Sequence, residues 1–70
     1  MKHNTVEFIR EGRYAAEVDV ELIEDESGWA PYFSLADAKK LEAVRLALRS
    51  HNLAAAAKLA RVFELQPVSA

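Results

Sequence analysis

The stretch from Tyr14 to Ile23 alternates between two kinds of side chain. Tyr14, Ala16, Val18, Val20 and Leu22 fall on one side, and Glu17, Asp19 and Glu21 on the other. A period of two fits a β-strand with one buried and one wet face, and does not fit a helix. Thr5–Arg10, which precedes it, is β-branched and aromatic, with Val6 and Phe8 on one face and Glu7 on the other. Glu11-Gly12 lies between the two runs and supplies a turn, glycine being free to take a positive φ. The spacing predicts an antiparallel hairpin over about residues 5–23. Glu7 is expected beside Glu17, Asp19 and Glu21 on its wet face.

The period then changes. Ser34 reads as a helix N-cap with Asp37 at the capping-box position, opening a helix over about 35–49 whose core stripe is Leu41, Val44 and Leu48. Leu35, Ala43 and Leu46 form a second apolar strip on that helix, to be covered by the next helix or by another molecule. Asn52 caps a second helix over about 53–60, where Ala54–Ala57 and Ala60 allow close packing. In residues 61–67, Val62, Glu64 and Gln66 alternate with Phe63 and Leu65, which reads as a strand, with a continuing helix as the competitor. The chain is therefore expected to be a small α+β domain of ββααβ order. Its three-stranded, mostly antiparallel sheet would pack on a helical hairpin. Seventy residues leave room for one domain, with a core of limited size.

Charge divides at the same seam as periodicity. Residues 1–28 carry eight acids and three bases, and residues 29–70 six bases and three acids, for a net charge of −2. An acidic balance does not favour nucleic acid as the partner. With no cysteine, disulfides and thiolate metal sites are excluded, which agrees with a cytoplasmic home. Met1–Arg10 lacks the apolar run of a leader, and no segment approaches the roughly 18 apolar residues of a membrane span.

No arrangement of catalytic type is visible. His3 and His51 have no partner at triad or metal spacing, and two glycines make no phosphate-cradling loop. Glu24-Asp25-Glu26 is contiguous and lacks EF-hand spacing, so it reads as a solvated loop. The expectation is no enzyme, no metal and no cofactor. The candidate partner-binding residues are Glu17, Asp19 and Glu21 on the acidic strand face, Trp29 and Tyr32 in the single aromatic cluster, and Leu46 on the second strip. Each has a plainer role: solvated face, core edge, or helix contact. The expected partner is a basic protein or a second copy of the chain. A helix-turn-helix regulator using Lys39, Lys40, Arg45 and Arg49 is the alternative, weakened by a second helix whose one polar side chain is Lys58.

The run Tyr14-Ala-Ala-Glu-Val-Asp-Val, then Glu24-Asp-Glu-Ser-Gly-Trp-Ala-Pro-Tyr, then Leu35–Leu48, resembles small bacterial proteins found in toxin–antitoxin-like gene pairs. It is more loosely similar to HicB-type antitoxin domains, which order a Tyr-x-Ala strand, an acidic turn with a Gly-aromatic pair and an Ala/Leu-rich helix in the same way. It lacks their Pro-Gly-Cys and Gly-Thr segments and adds a helical hairpin. The resemblance implies a small α+β partner-binding protein of antitoxin type and transfers no functional residue.

Overall fold

The structure is a computed structural model and describes residues 2–24, 28 and 30–68. The chain runs β1 (Lys2–Glu11), β2 (Tyr14–Ile23), β3 (Tyr32–Phe33), α1 (Leu35–Arg49), α2 (Leu53–Leu59) and β4 (Arg61–Glu64). β1 and β2 pair antiparallel in unbroken register from Lys2↔Ile23 to Glu11↔Tyr14. Only Gly12 and Arg13 connect them, and Gly12 has φ 61°, as the first position of a tight hairpin turn of type II′ demands. The fold is α+β, and apart from the added strand β3 the order of strands and helices is the ββααβ that the sequence predicts.

The sheet has four strands where three are expected. β2 is central, with β1 on one edge. On the other edge β4 pairs with Tyr14–Glu17 and β3 with Leu22 and Ile23, both antiparallel. Tyr32–Phe33 thus takes the end of β2 that the tail strand leaves free, since the tail strand stops at Glu64 instead of about residue 67. Alternate strand residues aim their backbone groups at the same edge, so Asp19 and Glu21 face the gap between β3 and β4. Helix α1 fills it with side chains: the Glu21 N–H donates to Asp37 Oδ2 at 2.7 Å and Lys40 Nζ donates to the Asp19 carbonyl at 2.8 Å. Asp37 and Lys40 are one helical turn apart, which lets them reach one strand together.

Both helices begin where the capping residues place them. Ser34 Oγ accepts from the Asp37 N–H at 3.1 Å and Asn52 Oδ1 from the Ala55 N–H at 3.2 Å. Helix α1 ends in a Schellman arrangement, with the Asn52 N–H donating to the Ala47 carbonyl and the His51 N–H to the Leu48 carbonyl. His51 takes the left-handed position, φ 60°, that glycine usually holds there. Its ring meets Tyr14 edge-on with centroids 5.8 Å apart. Asn52 therefore closes one helix and opens the next, and α2 folds straight back.

One face of the sheet is covered. Ile9, Ala16, Val18 and Val20 meet Val44 and Leu48 of α1 and Ala56 of α2, with Tyr14, Phe33, Leu41, Leu53 and Val62 packed around them. The full burial of Ala56 is what the small-residue run permits. Leu35 and Leu46 remain exposed, so α2 does not cover the second strip of α1.

The register corrects one expectation. Direct partners in an antiparallel pair share a face, and Glu7 is opposite the buried Val18. Glu7 belongs to the helix-bearing face. Val6 and Phe8 lie on the open face, opposite Asp19 and Glu17.

Candidate interaction surface

The open face is a grid set by strand register. Along it run the cross-strand rows Asn4–Glu21, Val6–Asp19, Phe8–Glu17–Arg61 and Arg10–Ala15–Phe63, with Lys2–Ile23–Tyr32 at one end. Among the described residues no helix lies over this layer, so its apolar members stay in water: Phe8 is 71% exposed, Phe63 45% and Val6 40%. Phe8 and Phe63 stand diagonally across Ala15 and Glu17. Two aromatic side chains on a solvated sheet face cost solubility without contributing to this domain's core.

The acidic row is not a field of free negative charge. Arg61 reaches from β4 and forks onto Asp19, with both nitrogen–oxygen distances 3.0 Å, and its Nη2 lies 3.7 Å from Glu17 Oε2. Lys2 Nζ is 3.7 Å from Glu21 Oε1. With Arg10 on the same face, the three acids are matched by three bases. The hydrogen bond from Arg61, helped by its charge and that of Lys40, holds the Asp19 carboxyl below the usual aspartate range. A carboxyl lowered by folding contributes stability above its ordinary pKa and loses it as pH falls through the lowered value. Replacing Arg61 with Gln is expected to raise the Asp19 midpoint toward the ordinary aspartate value, with Lys40 still in place. A carboxyl-carbon NMR titration of the two proteins checks this, and an unchanged midpoint would show the fork to be absent in solution.

The sequence-predicted site residues fall into separate places. Glu17, Asp19, Glu21 and Tyr32 share the open face. Leu46, half exposed, lies on α1, the helix that covers the opposite face of the sheet. Trp29 lies outside the described residues. Phe8 and Phe63 are the surface residues that sequence reasoning missed. The signal for Phe8 was available: a two-residue turn at Gly12-Arg13 makes partner numbers sum to 25 and so places Phe8 opposite Glu17.

The basic side chains of the helical unit are partly engaged within the protein. Lys40 is bound to the Asp19 carbonyl, and Arg49 Nη2 donates to Glu11 Oε1 at 3.0 Å. Lys39 and Arg45 remain exposed. Among the described residues no group of three His, Asp or Glu side chains is placed to hold a metal ion, and no helix is long and apolar enough to cross a membrane. No family model, curated protein or solved structure matches this chain.

Proposed function

We propose that the protein is a cytoplasmic protein-interaction module, antitoxin-like or an accessory subunit, that receives a protein partner on its open sheet face. One observation carries this reading: Phe8 and Phe63 stand exposed on a face whose three carboxylates, Glu17, Asp19 and Glu21, are each already paired with a base. Aromatic anchors within a rim of compensated polar groups are how protein interfaces divide affinity from specificity. The partner this face fits presents an apolar patch edged by basic groups, which would compete with Arg61 and Lys2 for the carboxylates of Asp19, Glu17 and Glu21. The pairing of those acids makes the apolar contact the main source of affinity and the charges a source of selectivity.

The test is a stoichiometric complex isolated from native lysate and compared across variants. Phe63→Ser is expected to weaken it at least ~10-fold, as loss of a central aromatic anchor does, while Leu46→Ser on the far helix leaves it unchanged. Loss with Leu46→Ser and survival with Phe63→Ser would move the contact to α1 and end the open-face reading.

A further inference from the structure

The two edges of the sheet are treated differently. The β3/β4 edge is protected by two short strands, and the gap between them is plugged by Asp37 and Lys40. The β1 edge carries ten residues in regular register, with no proline, no glycine and no bulge, and among the described residues no strand pairs with its outer side. Long regular edges are normally blunted by such devices because they recruit another strand.

The orientation of the free groups follows from β2. Asp19 and Glu21 aim their backbone at the gap, so Val18 and Val20 aim theirs at β1 and bond to Glu7 and Thr5. The N–H and C=O groups of Asn4, Val6, Phe8 and Arg10 therefore point outward. A second chain related by a two-fold axis through the sheet would pair residues of even number with even, because an odd shift sets the open face against the helix face.

We propose that β1 pairs antiparallel with β1 of a second copy of this chain, in the register centred on Glu7. This goes beyond the partner reading above, which concerns the face and not the edge. In this register Val6 meets Phe8 of the copy, and Phe8 meets Val6, joining four apolar side chains across the axis. Asn4 meets Arg10, Thr5 meets Ile9, and His3 meets Glu11. Asn4, Val6, Phe8 and Arg10 exchange both backbone bonds with their partners, about eight in all. Centring on Val6 would set Lys2 against Arg10, and centring on Phe8 would set Val6 against Arg10 and shorten the overlap. The chosen register has one like-charge contact, Glu7 with Glu7 on the axis. The result is a continuous sheet whose open faces join into one surface, and it adds burial to a domain whose own core is small.

The wild-type chain, purified without any partner, is expected to dimerise in sedimentation velocity at micromolar concentration. Val6→Pro removes an outward N–H and leaves the β1–β2 bonds intact. It should give a monomer with unchanged far-UV circular dichroism. Glu7→Gln should tighten the dimer about two- to five-fold by removing the like-charge pair. Glu7→Lys mixed with wild type should form mixed dimers in excess of the statistical proportion by native mass spectrometry, a readout that stands if Val6→Pro fails to fold. A wild type that stays monomeric at high micromolar concentration overturns the proposal. So does a dimer that survives in folded Val6→Pro, or a statistical mixture with Glu7→Lys, which refutes the register. None of these measurements involves the open-face partner. That reading therefore stands or falls separately on Phe63→Ser.

Discussion

Leu48→Ala is expected to leave the protein largely unfolded at 37 °C. Leu48 is one of three large side chains fully buried in the core, with Val18 and Val44. It comes from the last turn of α1 and sits where the helix, α2 and the sheet meet. Truncating a buried leucine costs about 2–5 kcal/mol, through lost transfer energy and through the cavity left behind. A domain of this size has only about 3–5 kcal/mol from its single core. The buried core it belongs to is otherwise Ile9, Ala16, Val18, Val20, Val44 and Ala56, β-branched or small residues with few rotamers to offer. Leu48→Met keeps the volume and should cost less than about 1.5 kcal/mol. Urea denaturation followed by circular dichroism measures both. A small loss in the alanine variant would place the stability of this protein outside the α1–sheet contact.

The second large effect is expected at Asp37, which looks like an ordinary capping residue. Its backbone N–H bonds to Ser34 Oγ while its carboxylate leaves the helix and accepts from Glu21. Asp37→Ala removes a charge suited to the helix N-terminus and orphans an N–H in a partly buried strand. The expected cost is about 1–3 kcal/mol. Asp37→Asn keeps a carbonyl oxygen for that N–H and loses the charge, so its cost should be nearer 0.3–1 kcal/mol. Hydrogen exchange separates the two roles. The Glu21 amide should lose protection in Asp37→Ala and keep most of it in Asp37→Asn. Equal protection in both would show that the carboxylate acts on the helix alone.

These two sites differ in how far the sequence disclosed them. Leu48 was visible from the 3.6-residue spacing of Leu41, Val44 and Leu48, because that period selects one helix face whatever it packs against. Asp37 was visible as a cap and hidden as a strand partner. Nothing local in residues 34–37 says that a strand sixteen positions earlier has an unpaired N–H. The same division runs through the open face. Glu17, Asp19 and Glu21 announced themselves as one row by alternation, whereas Arg61, which pairs with two of them, lies 42 residues beyond Asp19 in sequence. The expectation of a net acidic docking face came from counting charges along the chain, and it was the fold that brought the bases to them.

Local chemistry determined the elements themselves. Glycine at position 12 permits the positive φ of the turn, Ser34 and Asn52 satisfy helix N–H groups within three residues, and the two periods sort strands from helices. Each of these depends on neighbours a few residues apart, which a sequence displays directly. The tertiary structure decided which face of the hairpin the helices cover, and with it that Ile9 is buried opposite Ala16 while Phe8, opposite Glu17, stays exposed. It also decided that two strands and two side chains would share one edge of β2 while β1 kept the other edge open. That choice follows from where α1 lands on the sheet, a matter of packing between segments that no local pattern encodes.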